Sequence, residues 1–226
     1  MILGVRSTIL QSLYSDYHKD QKRWGVISGG TGRGVLFKSW IGVGKKVLDL
    51  GCRDGALTKF YLDNNKVIGA DIDDHALKLC IARIGIPVVC LDMNRTFPFR
   101  SGEFDVVVMG EVLEHGFFPQ LILKEVHRVL KDGGLVVGSV PNAYRLKNRL
   151  RFLLGHELQR DRMHLHFFSI KRLRYLLSQY FDNIFVIPIT SRFLAFSPTL
   201  FANTLAWRCV KTNPHPRHEI SDVRQV

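Results

Sequence analysis

The stretch Val47-Leu48-Asp49-Leu50-Gly51-Cys52-Arg53-Asp54-Gly55 decides how this chain folds. Its apolar first half has the length and composition of a buried parallel strand, and its glycines mark a sharp turn into a helix that we expect to begin near Ala56. A strand that closes on a glycine turn and a helix start presents backbone N–H groups to a ligand. The rest of the chain is predicted to complete the pocket at this turn.

Asp71, twenty residues after Gly51, indicates what the pocket binds. A second strand, Val67–Ala70, is predicted to end beside it, and an acidic side chain there can accept hydrogen bonds from both hydroxyls of a ribose. Gly51–Gly55 lacks the G-x-G-x-x-G spacing, and the chain contains no G-x-x-x-x-G-K-[ST]. The pattern therefore predicts a nucleoside ligand without specifying a dinucleotide.

The alternation of apolar runs and helical patterns between residues 45 and 142 predicts a parallel α/β sheet with right-handed crossovers. We expect strands near 46–50, 66–70, 87–91, 104–109 and 134–140, and helices near 56–63, 74–84 and 119–131. Ligands of such sheets bind at the carboxyl ends of the strands. Four residues that follow strands should converge there: Gly51, Asp71, Asp92 and Glu111.

Four further blocks accompany the glycine turn: G-A-D-I-D ending at Asp73, Leu91-Asp92-Met93, F-D-V-V-V-M-G-E-V-L-E-H from Phe104 to His115, and L-K-D-G-G-L-V-V-G-S-V-P-N from Leu130 to Asn142. Together they resemble the class I S-adenosylmethionine-dependent methyltransferases. The resemblance implies a Rossmann-like α/β fold, with a seven-stranded, mainly parallel sheet, helices on both faces, and S-adenosylmethionine as cofactor. The E-V-L-E-H and H-L-H-F-F-S segments are most similar to the ubiquinone-biosynthesis-like (type 11) O-methyltransferases and to methyltransferases of glycan pathways.

The resemblance also implies which residues hold the cofactor. Asp49 would approach the methionine amino group, Asp71 the ribose hydroxyls, and Asp92 the adenine amino group. The full set implied to bind the cofactor is Asp49, Gly51, Cys52, Arg53, Gly55, Asp71, Ile72, Asp92, Met93, Glu111 and Val112.

Arg53 departs from the family, which usually has glycine at this position. Its side chain could pair with the cofactor's carboxylate or point away from it. If it filled the slot, cofactor binding would be weak.

A hydroxyl acceptor must lose its proton as the new bond forms, so a nearby histidine would help as general base. His115 is the first candidate, followed by His164 and His166; a structural role is an equal alternative for each. No metal site is expected, because His164 and His166 lack a clear carboxylate or cysteine partner. The four cysteines show no C-x-x-C spacing and are interpreted as buried thiols.

The chain is predicted to comprise an N-terminal helical cover (residues 1–44), a methyltransferase domain (45–212) with a cap insertion at 143–169, and a flexible tail (213–226). Within the cover, residues 1–24 suit an amphipathic helix, and residues 28–34 are interpreted as a mobile connection. Ser169 is expected to cap a helix to about Gln179, with strands at 183–189 and 204–211. The side chains expected to cover the cofactor are Tyr14, Tyr17, His18 and Trp24.

The formal net charge of +12 is uneven, because residues 143–226 carry nine more basic than acidic side chains and the first 142 residues only three more. The positive electrostatic field of the C-terminal part would attract an anionic substrate, a nucleic acid or an anionic membrane. The charge alone does not indicate which of these is the partner.

The leading interpretation is O-methylation of a small-molecule or carrier-linked (glycan, lipid or quinone-like) acceptor, including an anionic one. An RNA methyltransferase and a non-catalytic binding module are the alternatives. Peripheral membrane contact through 145–154 and 193–205 is compatible with the first. Without a leader pattern or a run of about 18 apolar residues, the protein is expected to be cytoplasmic.

Overall fold

A computed structural model describes residues 8–21, 24–27, 30–157, 161, 163–189 and 197–212. Seven strands form one sheet in the order β3-β2-β1-β4-β5-β7-β6. The strands are β1 (Lys46–Leu50), β2 (Lys66–Asp71), β3 (Val88–Cys90), β4 (Phe104–Gly110), β5 (Leu130–Pro141), β6 (Asp182–Ile189) and β7 (Thr204–Val210). Only the pairs β5–β7 and β6–β7 are antiparallel. The predicted Rossmann-like, mainly parallel sheet is therefore confirmed.

Side chains along the buried strands point alternately to the two faces of the sheet, and both faces are apolar. Helices therefore cover both faces of this sheet. On one face Leu48 belongs to a core cluster with Ile122 and Leu173, whereas Val47 belongs to a second cluster with Phe37 and Leu77. The helices are α1 (Thr8–Gln21), α2 (Thr31–Ile41), α3 (Asp74–Ile84), α4 (Pro119–Val129), α5 (Leu146–Leu153), α6 (Ile170–Ser178) and α7 (Pro198–Phe201).

Strand β1 lies between β2 and β4, so the chain leaves β1 toward one edge of the sheet and later returns on its other side. The carboxyl ends of strands at such a reversal form a crevice in open α/β sheets. The register pairs Leu50 of β1 with Ala70 and with Met109, which brings the ends of three strands level. The fold thus places Gly51, Asp71 and Glu111 at one edge.

Two predictions about local structure are wrong. The helix expected near 56–63 is only a 3₁₀ turn, Thr58–Phe60, because the Thr58 and Tyr61 hydroxyls bond Asp49 and the Asn65 side chain ends the segment by bonding the carbonyls of Tyr61 and Gly42.

The interpretation of 28–34 as a mobile connection is also wrong from Thr31 onward, where α2 begins. Helix α2 is anchored because Phe37 and Ile41 are buried, and because a β-carbon at Gly34 would lie 2.5 Å from the Phe60 ring, a contact only glycine permits.

Other predicted elements are confirmed. Helix α1 lies within the amphipathic segment 1–24, and the basic helix of the insertion is α5. Ser169 caps α6 by accepting a hydrogen bond from the Arg172 amide. The predicted tail, 213–226, and residues 193–196 of the predicted membrane contact lie outside the described residues. Among the helices that the structure describes, none combines the length and the apolar composition needed to cross a bilayer.

Candidate cofactor and acceptor site

A cavity of about 760 Å³ opens at the carboxyl ends of β1, β2 and β4. Nine of the eleven residues predicted to bind the cofactor line it, and the two that do not are Gly55 and Asp92. The cavity also takes lining residues from α1, α2, the insertion and the start of β7. Its size is within the range of pockets that bury small ligands and cofactors.

The glycine turn forms the floor of the cavity. Gly51 has a φ of 76°, and a β-carbon there would lie 2.6 Å from Val112 Cγ2, so both backbone conformation and space require glycine. The amides of Gly51 and Cys52 both donate to the Ala70 carbonyl, which ties the turn to β2. Gly55 serves packing, since a β-carbon there would lie 2.6 Å from Ile84 Cδ1 of α3.

The carboxylate of Asp71 can accept more hydrogen bonds than the protein donates to it. Its Oδ2 accepts the Arg53 amide at 2.9 Å and its Oδ1 accepts the Asp73 amide at 3.0 Å. Because a carboxylate has about four lone-pair sites, each oxygen can accept one more hydrogen bond. The buried carboxylate therefore fits a ligand that offers two neighbouring hydroxyls, although burial raises the pKa of Asp71.

Asp49 is buried at the end of β1 and lines the cavity. Its Oδ2 accepts the Thr58 hydroxyl at 2.6 Å and the Tyr61 hydroxyl at 2.7 Å. Burial raises the pKa of Asp49 to about 6, while the two hydroxyl donors counteract that rise. A cationic ligand group would favour the ionised form here.

Arg53 adopts a left-handed backbone conformation, with φ at 49°, where the family usually has glycine. Its Nε donates to Asp54 Oδ1 at 3.3 Å and its Nη2 donates to the Val26 carbonyl at 2.5 Å. These bonds direct the guanidinium toward Asp54 and the segment that follows α1. The amide of Arg53 meanwhile positions Asp71, as glycine could at this position.

Arg33 is a site residue that the sequence did not reveal. It is 4% exposed on α2, and its Nη1 lies 3.0 Å from Ser139 Oγ and 3.1 Å from Glu111 Oε1. Among the described residues its Nε has no hydrogen-bond partner, although it is buried in the wall of the cavity. A buried unpaired donor is costly, so this atom fits a ligand acceptor. The one feature of the sequence that could have indicated the position of Arg33 in the cavity wall is the group of glycines around it.

Asp92 is turned away from the main cavity. Its Oδ1 accepts the amide and the side-chain nitrogen of Asn94, and its Oδ2 lies 3.6 Å from Arg95 Nε. Its neighbours Leu91 and Met93 do line the cavity. Asp92 thus shapes the loop that presents these two side chains.

Two of the three histidines predicted as general bases meet at the cavity wall. The rings of His115 and His164 lie 4.8 Å apart, and both residues line the cavity. His115 Nδ1 lies 3.0 Å from the Met163 carbonyl, so this nitrogen donates and Nε2 carries the lone pair. His166 is not among the lining residues; its Nε2 donates to the Gly116 carbonyl at 2.9 Å.

Burial lowers the pKa of His115 to about 4, and burial also lowers the pKa of His164. Both rings are therefore neutral at physiological pH. Asp161, which the sequence did not indicate, lies with its Oδ2 3.6 Å from His164 Nε2 and accepts the Tyr17 hydroxyl.

Glu114 lies behind these histidines, fully buried, and among the described residues neither carboxylate oxygen has a hydrogen-bond partner. Burial raises the pKa of Glu114 well above its ordinary value and so favours the protonated form of this side chain. One donor atom each from Glu114, His115 and His164 lie within 4.8 Å of one another, a spacing that a divalent cation could bridge only after Glu114 lost its proton.

Helix α1 lies over the cavity, as the predicted cover should. Ser15 Oγ donates to Asp73 Oδ1 at 3.0 Å, and His18 Nδ1 lies 2.8 Å from Asp73 Oδ2. Asp73 also caps α3 by accepting the His75 amide. All four predicted cover residues line the cavity: Tyr14, Tyr17, His18 and Trp24.

The sheet order and the site at its β1 reversal define the Rossmann-like class I methyltransferase architecture. A crystal structure of an S-adenosylmethionine-dependent methyltransferase from Thermotoga maritima superposes with a TM-score of 0.70 at 16% identity, covering 89% of this chain and 99% of that one. A phosphoethanolamine N-methyltransferase 2 from Haemonchus contortus, in complex with S-adenosylmethionine, gives a TM-score of 0.69 at 17% identity, covering 92% and 61%. These similarities establish the fold.

The sequence comparisons agree with this architecture. Residues 48–138 match the family model described as a methyltransferase domain. Residues 48–138 are therefore similar to a methyltransferase domain, and they lie within a fold of the class I methyltransferase type.

Curated relatives match the same region. A ubiquinone biosynthesis O-methyltransferase from Idiomarina loihiensis is 33% identical over 120 residues, covering 50% of this chain and 47% of the relative. A demethylmenaquinone methyltransferase from Lactococcus lactis is 35% identical over 103 residues, covering 42% and 41%. The chain thus spans about half the length of the curated relatives that it matches.

Proposed function

We propose that this domain transfers a methyl group from S-adenosylmethionine to an oxygen atom of a small-molecule or carrier-linked acceptor. The observation that carries the proposal is a single cavity with two chemically distinct parts. One part has a partly satisfied carboxylate, Asp71, and an unpaired donor, Arg33 Nε; the other has two neutral histidines. The relatives named as ubiquinone biosynthesis O-methyltransferases support oxygen as the acceptor atom.

The residues present fit the cofactor. Asp71 can accept the two ribose hydroxyls, Asp49 can accept the methionyl ammonium, and Arg33 Nε can donate to the methionyl carboxylate. When bound, the cofactor supplies a methyl group on a positively charged sulfur that becomes a neutral thioether when the methyl leaves. The protein's main task is then to hold donor and acceptor in line and keep water out.

His115 is the proposed general base. Its Nδ1 is committed to the Met163 carbonyl, so the lone pair on Nε2 can take the proton from an acceptor hydroxyl as the methyl–oxygen bond forms. Its lowered pKa keeps the ring unprotonated at neutral pH, but it also makes the ring a weak base until nearby negative charge stabilises the protonated form. Asp161 beside His164 would stabilise positive charge that develops on the histidine pair.

Two measurements test the proposal. Calorimetry should show that the protein binds S-adenosylhomocysteine, and incubation with methyl-labelled S-adenosylmethionine and a panel of phenolic, glycan and lipid-linked hydroxyl compounds should give an O-methylated product identified by mass spectrometry. Label transferred to nitrogen or to RNA instead would contradict the acceptor class. Absence of cofactor binding would contradict the proposal as a whole and favour a non-catalytic module.

A further inference from the structure

The acceptor side of the cavity carries a group of cations that the proposed transfer reaction does not use. Arg145, Lys147 and Arg151 all line the cavity, at the start of α5 and along it. The same cavity is lined by Asp49 and Asp71. We propose that these three side chains form a subsite for an anionic phosphate group of the acceptor; this inference rests on the proposed function, because it names the acceptor's class.

Carboxylates do not neutralise this group. Within the part of the chain that the structure describes, the ion pairs at 4.0 Å or less include none to Arg145, Lys147 or Arg151. Two further arginines in the cavity wall are by contrast paired, Arg33 with Glu111 and Arg53 with Asp54. Like charges at i and i+4, as at Lys147 and Arg151, weaken a helix, so α5 is not built this way for its own stability.

Neutral groups hold one of the cations in place. Arg145 Nε lies 3.4 Å from Asn148 Oδ1, and Arg145 Nη1 donates to Asn203 Oδ1. Asn148 is 4% exposed and is itself fixed because its Nδ2 donates to the Ala143 carbonyl at 2.9 Å. Two amides thus orient a guanidinium without cancelling its charge, which is the arrangement expected for recognition of an anion.

The charge and geometry favour phosphate over a single carboxylate. Two guanidinium groups and one ammonium supply several donors and a local charge that matches a phosphate monoester or diester. Helix α5 and the residue after it also expose apolar side chains: Leu150 at 52%, Phe152 at 64%, Leu153 at 78% and Leu154 at 73%. The phosphate can therefore come from a soluble metabolite or from a lipid carrier, and the experiment separates the two.

The test measures binding of two phosphate probes to the full chain, each in the presence and in the absence of S-adenosylhomocysteine. Phenyl phosphate represents a soluble ester, and vesicles of phosphatidylcholine with and without phosphatidate represent a lipid. We expect at least one phosphate probe to bind, and the Lys147→Gln/Arg151→Gln variant to weaken that binding by about tenfold or more, since each lost charge-assisted hydrogen bond is strong. The probe that responds identifies the source.

Arg149→Gln is the matched control. Arg149 lies on the same helix and is exposed, but it does not line the cavity, and its Nε donates to the Tyr144 carbonyl. This variant should change phosphate binding by less than about twofold, because general surface charge contributes little at physiological salt. Thermal melts and the single variant Lys147→Gln, at an exposed position, guard against a folding defect in the double variant.

The inference is overturned if neither probe binds the wild-type protein, if the double variant binds as tightly as wild type, or if Arg149→Gln weakens binding equally. Binding of S-adenosylhomocysteine, measured separately, reports on the proposed function. If the protein binds S-adenosylhomocysteine but not phosphate, only the proposed phosphate subsite is contradicted. If the protein binds phosphate through α5 but does not bind S-adenosylhomocysteine, the proposed methyl transfer is contradicted.

Discussion

The two ends of the cavity are built in different ways. At the cofactor end, backbone groups position the side chains: the Gly51 and Cys52 amides bond Ala70, and the Arg53 amide bonds Asp71. At the acceptor end, side chains from distant segments contact one another, as Tyr17 of α1 does with Asp161 and His115 with His164. The first kind of site follows from a short local motif, and the second depends on how distant segments pack.

The largest effect is expected from a substitution that changes only the acceptor end of the cavity. His115→Gln should lower kcat by about 10²-fold or more, because a positioned general base typically contributes that much. Its affinity for S-adenosylmethionine should stay within about twofold of wild type. His166→Gln is the control, since His166 bonds the Gly116 carbonyl outside the cavity, and its kcat should change by less than about threefold. Equal losses in both variants would indicate a structural role for these rings.

The next largest effect is expected at the cofactor end, where substitutions of Asp71 and Asp92 are compared by their effect on S-adenosylmethionine binding. Asp71→Asn should weaken S-adenosylmethionine binding by about 30-fold, because charged acceptors for two hydroxyls are lost. Asp92→Asn should weaken it by less than about threefold, because Asp92 is occupied by Asn94. Calorimetric titration of both variants decides; a large loss in Asp92→Asn would restore the direct contact with adenine that the family resemblance implies.

A pH titration separates the two ends within one protein. Asp49 has a pKa raised to about 6, so its ionised form is lost as the pH falls through that value, whereas His115, with a pKa lowered to about 4, stays neutral. The KM for S-adenosylmethionine should rise about tenfold between pH 7 and pH 5, while kcat stays nearly constant. In Asp49→Asn the KM should be high at every pH. A wild-type KM that does not vary would exclude Asp49 as the ammonium partner.

The smallest expected effect concerns stability behind the acceptor end. Since the folded pKa of Glu114 is raised above its ordinary value of 4.5, the stability that its protonated form contributes is full below that value and is lost as the pH rises through the folded pKa. Glu114→Gln stays neutral, so its Tm relative to that of wild type should be about 2–4 °C higher at pH 9 than at pH 4. A difference that is the same at both pH values would contradict this.

Sequence reasoning predicted the glycine turn and the neighbouring acidic residue at one edge of the sheet because the signals for them are local. The run Val47–Gly55 and the spacing to Asp71 both follow from the covalent order of a βαβ unit. The same reasoning placed α3 at residues 74–84, as observed, because Asp73 is a helix cap followed by a helical apolar pattern.

The residues that it missed reach the site over long sequence distances. Arg33 bonds Ser139, 106 positions away, and Tyr17 bonds Asp161, 144 positions away. The glycines around Arg33 do not distinguish it from a surface residue. The polar residues around Asp161 do not distinguish Asp161 from a surface residue either. Likewise the helix expected near 56–63 has ordinary helical residues, and it stops at one turn because of side-chain bonds from Thr58 and Tyr61 to Asp49 and from Asn65 to backbone carbonyls.

Asp73 joins two parts of the molecule that are otherwise separate in sequence. Its carboxylate receives Ser15 and His18 of the cover, and its amide bonds Asp71, so the residue that fastens the cover is attached directly to the residue at the nucleoside position. The position of helix α1 over the cavity therefore depends on the same short loop that holds Asp71.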